Sequence, residues 1–165
     1  MKKLFTILIL LLIISLRAYA QELPTKPAKG FSFPLGSKIT IKLYPVDSLN
    51  FNYSIIEFEP FHEMLDLWGN DSLFSDTGKA GTVELYFCTA TRGQTKKERE
   101  KNMKVLLISK NRSEYALEYT SEIQFEENGD YHQTSNTGWL PGVKSTEIWS
   151  DMIYFIGIRD IQKME

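Results

Sequence analysis

The sequence predicts an all-β protein: an antiparallel β-sandwich of about seven strands, Ig-like in architecture, with one short helix near residues 60–68. Three observations support this prediction. Segments in which apolar and polar residues alternate recur along the chain, most clearly over residues 114–126. Stretches rich in proline, glycine and asparagine separate them. After residue 20, no segment shows a helical apolar pattern longer than about two turns. A closed β-barrel is the alternative, because it needs the same strands and turns.

The first two predicted strands span residues 38–44 and 53–59. In the first, isoleucine and leucine alternate with lysine and threonine, as expected for a strand with one buried face. The second precedes Pro60, which fits the first position of a helix. The apolar residues that follow have the i, i+3, i+4, i+7 spacing, and Gly69 comes directly after them. This spacing predicts a helix of about two turns.

The middle of the chain predicts two further strands joined by a long polar loop. Residues 82–90 alternate, and residues 103–109 are mostly apolar, which suits a strand buried on both faces. Residues 92–102, between them, contain no apolar side chain, so we expect them to lie in solvent. Thr95 and Glu98 have the spacing of a capping box, but a helical turn here has no apolar face to bury and would be marginal.

The longest alternating segment, residues 114–126, has tyrosine, leucine, isoleucine or phenylalanine at most odd positions and glutamate or glutamine at most even ones. The alternation fails at Ser121, where a bulge or bend is expected. An Asn-Gly-Asp turn then predicts a hairpin into a short strand over residues 131–134. Two more strands are predicted, over residues 147–149 and 152–161. In the last of them, Gly157 indicates a bulge or a close backbone approach.

The first twenty residues predict export. Lys2 and Lys3 precede an apolar run over residues 4–16, and Ala-Tyr-Ala at 18–20 provides the small residues that signal peptidase requires, so we expect cleavage after Ala20. The run is shorter than the roughly 18 residues that a spanning helix needs. No cysteine lies near the cleavage point, which excludes a lipid-modified N-terminal cysteine. We therefore expect a periplasmic or secreted protein with no transmembrane segment after signal removal.

Signal removal leaves residues 21–165, with 16 basic and 21 acidic side chains and a net charge of −5. Residues 21–30 contain two prolines and predict an extended lead-in, and residues 31–165 predict a single β-sandwich domain. Cys88 is the only cysteine of the sequence, so no intrachain disulfide can form and the Cys-Trp-Cys hallmark of antibody-type domains is absent. Its apolar neighbours predict a buried, unreactive thiol.

Motifs for catalysis, cofactor binding and metal binding are absent from the sequence. Only two histidines, His62 and His132, are present, which limits catalysis of the Ser-His-Asp or Cys-His type. No Walker loop, dinucleotide-binding glycine motif, zinc-protease motif or paired CxxC occurs. We therefore expect no catalytic residue, no cofactor, no metal site and no enzymatic activity.

A basic run raises the question of nucleic-acid binding, because six lysines and arginines lie between Arg92 and Lys104. Glu98 and Glu100 interrupt the run, the exported chain is acidic, and no aromatic residue is interleaved for base stacking. The sequence therefore predicts a solvated loop and no nucleic-acid partner.

A row of acids is predicted on the outer face of the longest strand, at Glu114, Glu118, Glu122 and Glu126. Lysines on neighbouring strands would offset the repulsion between these like charges. One interpretation is an ordinary solvated face. The other is a surface for a basic protein partner.

Aromatic and imidazole side chains gather in the last third of the chain, at Tyr131, His132, Trp139 and Trp149. Exposed tyrosine and tryptophan side chains anchor protein interfaces and hold sugars. Trp139, in the loop Gly-Trp-Leu-Pro-Gly, is the first candidate for an exposed aromatic side chain. The alternative is that it folds back and plugs one end of the sandwich.

These features predict an exported, non-enzymatic binding protein that acts through a protein–protein interface. The acidic face and the aromatic residues of the last third would form that interface. A periplasmic inhibitor or immunity-type protein fits the size, the export and the acidity. The first alternative is a carbohydrate-binding module that uses exposed aromatic side chains. The second is a small hydrolase with two carboxylates across a cleft.

Overall fold

A computed structural model describes residues 23–164, so the signal-peptide prediction for residues 1–20 lies outside the described residues. Ten strands, paired antiparallel with one exception, form a single sheet that curls into half a barrel. The all-β, antiparallel prediction is confirmed. A single curled sheet can be regarded as an opened barrel or as a folded-over sandwich, and it does not distinguish the two predicted architectures.

The sheet has the strand order β8-β7-β10-β3-β2-β5-β6-β9; β1 pairs with β10, and β4 runs parallel to β5. Each predicted strand overlaps an observed one, whereas β1 and β4 were not predicted. The strands are β1 Gly30–Pro34, β2 Ser37–Pro45, β3 Asn50–Pro60, β4 Leu65–Asp66, β5 Thr82–Thr91, β6 Lys104–Asn111, β7 Leu117–Gln124, β8 Tyr131–Thr134, β9 Lys144–Trp149 and β10 Phe155–Lys163.

Two apolar clusters hold the sheet together. The main core lies inside the curl and takes the inward residues of most strands, including Ile39 and Ile41 of β2 as their alternation predicts. A smaller cluster lies on the other face, where Leu65 and Leu67 cover residues of β5 and β6 such as Leu106. Leu23 of the lead-in also packs against the main core.

The predicted helix over residues 60–68 is wrong. β3 continues to Pro60, and Leu65 and Asp66 form β4 instead. Leu65 and Leu67 are both buried, which is the period-two burial of an extended chain, while Trp68 is exposed. The Asp66 carboxylate accepts the backbone N–H of Trp68 at 2.9 Å and so fixes a turn. A two-turn helix is marginal alone, and pairing with β5 stabilises the extended form instead.

The α-helix of the described residues is α1, Lys96–Lys101, in the loop between β5 and β6. Thr95 and Glu98 form the capping box that their spacing suggests, and the Glu98 N–H donates to Thr95 Oγ1 at 3.3 Å. No side chain of α1 is buried, so the caps rather than packing hold it. Within residues 23–164, no helix has the length and apolar character needed to cross a bilayer.

Strand β10 contains one of two register shifts in the described sheet; the other lies between β2 and β3. Its register shifts between Arg159 and Gln162, and Asp160 has a φ of +53°, a left-handed conformation that aspartate tolerates. Before this bulge β10 pairs with β1, and after it with β3. The bulge therefore lies three residues beyond Gly157. Ser121 of β7 lies in regular register and is buried, so the expected break there is wrong.

Candidate functional site

The predicted acidic row is divided by the structure. Glu118 and Glu122 lie on the outer face of β7, whereas Glu114 lies in the loop before this strand. Glu118 accepts a hydrogen bond from the side chain of Gln162 on β10. Because β10 is the neighbour of β7, the side chains beside the acids come from β10 rather than from the lysines that the sequence suggested.

An open groove of about 550 Å³ lies on this outer face, above β10 and between β1 and β7; we call it the trench. Its floor includes Gly157, whose neighbours in the sheet are Ser32 on β1 and Glu122 on β7. Tyr131 of β8 reaches across this glycine, and its hydroxyl lies 2.6 Å from Ser32 Oγ. A Cβ at Gly157 would lie 3.7 Å from Glu122 and 3.8 Å from the Tyr131 ring, which are ordinary contacts, so the close backbone approach predicted at Gly157 is not found.

Four charged residues line the trench: Lys29, Glu122, Arg159 and Asp160. The Arg159 guanidinium donates to Glu122 Oε1 at 2.8 Å and also to the carboxylate of Asp160. This hydrogen bond lowers the pKa of Glu122 below its ordinary value of 4.5, so Glu122 is ionised near neutral pH. The bulge after Arg159 turns the Asp160 carboxylate toward the same guanidinium. An exposed tyrosine ring thus lies beside a fixed set of hydrogen-bond donors and acceptors.

The other predicted binding residues lie elsewhere. His132 is exposed but pairs with Ile123, an inward residue, and so faces away from Tyr131; its ring lies 5.7 Å from that of Phe125. Trp149 is half-buried against the main core, and its Nε1 donates to Thr134 Oγ1 at 3.3 Å. Of the seven predicted residues, the trench brings together Glu122 and Tyr131, with Glu118 on the same face of β7.

Trp139 is 1% exposed, so the prediction of an exposed aromatic side chain here is wrong and the plug alternative is confirmed. Its backbone bridges Leu117 of β7, and its indole stacks on the Tyr119 ring at a centroid distance of 4.0 Å. Two factors account for this burial. The indole packs in the main apolar core, and Gly138 before it has a φ of +68°, which lets the loop turn inward.

Beside Trp139 lies a carboxyl group that the sequence did not single out. Glu147 of β9 is 9% exposed and accepts a hydrogen bond from the hydroxyl of Tyr119 on β7. Burial raises its pKa from 4.5 to about 7, although the tyrosine hydrogen bond opposes the shift. Its Oε2 and the Trp139 Nε1 have no hydrogen-bond partner within the described part of the chain. The sequence did hold a signal, because alternation in β9 puts Glu147 on the same face as Trp149.

Sequence reasoning also missed most of the trench. Arg159 and Ser32 are single polar residues in short segments, and their importance depends on β1 and β7 flanking β10. Such neighbours are far apart in the chain, so no local pattern identifies them. Cys88 is fully buried, as predicted, and burial raises the pKa of its thiol to about 12.

Among residues 23–164, no group of three or more histidine, cysteine or acidic side chains is arranged to hold a metal ion. No family model matches the chain, and no curated protein or solved structure is detectably similar to it. The trench therefore has to be interpreted from its own chemistry.

Proposed function

We propose that the protein is exported and acts, without catalysis, by binding a protein partner at the trench; a periplasmic inhibitor or immunity-type protein is one form of this function. The N-terminal sequence supports export. The proposal rests on one observation: on an accessible face, the Tyr131 ring is held by Ser32 and lies beside Arg159, which is paired with Glu122 and Asp160. Tyrosine and arginine are the side chains, with tryptophan, that most often dominate the binding energy of protein interfaces.

Preorganisation supports the same proposal. The Tyr131 hydroxyl is held by Ser32, and the Arg159 guanidinium is held by two carboxylates. Side chains fixed before binding lose less conformational entropy in a complex, so more of their contact energy appears as affinity. Tyr131 is 43% exposed, which leaves one side of the ring open to a partner.

Site-specific photo-crosslinking in cells that export the protein tests the proposal. A photoreactive residue at Gln133, which is exposed and pairs with Glu122, reports on the trench face, and one at Lys79, in the turn before β5, is the control. We expect one adduct of defined mass from Gln133 and none from Lys79. With the partner purified, Tyr131→Ala weakens binding about tenfold or more.

His132→Ala is the matched variant, because it changes the next residue of the same strand on the opposite face. It leaves the affinity unchanged. The proposal is refuted by the absence of an adduct, by equal adducts at Gln133 and Lys79, or by equal effects of the Tyr131 and His132 variants.

Glycan binding at the trench is the second candidate function. Sugar rings stack on aromatic side chains, and their hydroxyl groups pair with planar carboxylate and guanidinium groups. Tyr131 beside Glu122, Arg159 and Asp160 provides this combination, whereas buried Trp139 does not. A glycan array with the wild-type protein and Tyr131→Ala tests it. Binding that the variant loses supports the candidate, and no binding to any glycan removes it.

The hydrolase alternative receives less support. Glu122 and Asp160 are the two acids that share the trench, and both bind the same guanidinium. A general acid needs a raised pKa, whereas Arg159 lowers the pKa of Glu122. This chemistry favours recognition over catalysis.

A further inference from the structure

The charge of the protein is distributed unevenly. Residues 92–104 hold six basic and two acidic side chains, a net charge of +4. The rest of the chain after Ala20 holds ten basic and nineteen acidic side chains, a net charge of −9. Helix α1 lies within the basic segment, and none of its side chains is buried. One end of an acidic molecule is therefore strongly positive.

Residues 92–102 contain no apolar side chain. The segment before β5 supplies apolar side chains next to them. The Leu67 N–H donates to the Thr91 carbonyl at 2.9 Å, which places Trp68 beside the end of β5, where the basic run starts. Trp68 is 68% exposed and Met64 is 40% exposed. Met64 and Met103 also line a groove of about 400 Å³ against α1. We call Trp68, Met64, Met103 and the basic residues of 92–104 the basic end.

The acids at the basic end are too few to cancel its charge, because residues 92–104 keep a net charge of +4 after Glu98 and Glu100 are counted, and Asp66 lowers this only to +3. Glu98 is part of the capping box, and Oε1 of Glu100 lies 3.8 Å from Nζ of Lys96. Asp66 accepts backbone N–H groups of the turn that carries Trp68, and these hydrogen bonds lower its pKa.

We propose that the basic end docks on a membrane surface that carries anionic lipid headgroups, with Trp68 and Met64 entering the interfacial region. Lysine and arginine side chains are attracted to anionic headgroups, and tryptophan is enriched at the boundary between headgroups and acyl chains. One exposed indole with a nearby exposed methionine suits this boundary better than nucleic acid, which requires a series of stacking rings. The groove of the basic end shares no lining residue with the trench.

Vesicle flotation and tryptophan fluorescence test the proposal. We expect the protein to float with vesicles of phosphatidylcholine mixed with phosphatidylglycerol and not with phosphatidylcholine alone. The emission shifts to shorter wavelength on binding. Trp68 dominates this shift, because Trp139 is buried and Trp149 is half-buried. Trp68→Phe removes the shift.

The double variant Lys96→Glu, Lys97→Glu reverses two charges of α1 without touching a buried side chain. Each basic residue near an anionic surface raises the vesicle partition coefficient about fivefold, so we expect the partition coefficient of this variant to fall about thirtyfold or more. Lys26→Glu, Lys79→Glu makes the same charge change at exposed positions outside the basic end and keeps wild-type partitioning.

Three results would overturn the proposal: no flotation with anionic vesicles, equal losses in the two double variants, or flotation with no change in Trp68 emission. Tighter binding to single-stranded DNA than to anionic vesicles would also overturn it and assign the basic end to nucleic acid. Tyr131→Ala keeps wild-type partitioning, so this test is independent of the function proposed for the trench.

Discussion

Replacing Glu147 with glutamine will make the protein more stable at alkaline pH and leave its stability nearly unchanged in mild acid. In the folded protein burial raises the pKa of Glu147 from 4.5 to about 7. Between these two pH values the folded state holds a proton that the unfolded state has released, so stability falls as the pH rises. One pKa unit corresponds to about 1.4 kcal/mol, and the full shift therefore costs about 3 kcal/mol above pH 7. Glutamine keeps a neutral acceptor for the Tyr119 hydroxyl and removes this cost.

The assay is urea denaturation, monitored by circular dichroism, at several pH values between about 5 and 8. The difference in unfolding free energy between Glu147→Gln and wild type should grow over this range to about 3 kcal/mol in favour of the variant. Other titrating groups cancel in the difference. Glu118→Gln makes the same chemical change at an exposed position of β7 and is the control variant. Parallel stability curves for wild type and Glu147→Gln would refute the reasoning.

Three further predictions concern the core, the thiol and the trench. Trp139→Ala removes the buried plug and should cost about 3–5 kcal/mol in urea denaturation, whereas Leu140→Ala, at the exposed next residue, should cost less than about 1 kcal/mol. The Cys88 thiol should resist an aromatic disulfide reagent in the native protein and react at once in denaturant, because it is fully buried; rapid reaction of the native protein would contradict the packing of β5. Gly157→Leu projects a side chain into the trench and should abolish the Gln133 crosslink without changing the circular dichroism spectrum. A retained crosslink would place the partner elsewhere.

The strands could be predicted from the sequence because their burial pattern is local. In β2 and β7 most alternate residues are apolar, and the structure buries them. Cys88 could be placed for the same reason, since its neighbours in β5 are apolar. The Asn-Gly-Asp turn likewise indicated the hairpin that joins β7 to β8.

The helix over residues 60–68 could not be excluded locally, because Leu65 fits both a helical stripe and an extended chain. Pairing of β4 with β5 decides between them, and that pairing joins segments some 25 residues apart. The candidate site also depends on pairing between segments that are distant in sequence. Glu122 and Tyr131 are visible as an acid and an aromatic residue, but their joint groove exists only because β10 lies beside β7 and carries Gly157.

The sequence by itself determined the all-β class, the inward face of most strands and the excess of acid over base. Each depends on composition or on spacing along the chain. Only the tertiary structure decided that Trp139 is buried, that Arg159 binds Glu122, and that Trp68 is exposed near the end of β5. These facts depend on which distant segments become neighbours, and strand order in a sheet is set by the packing of the whole chain rather than by any one segment.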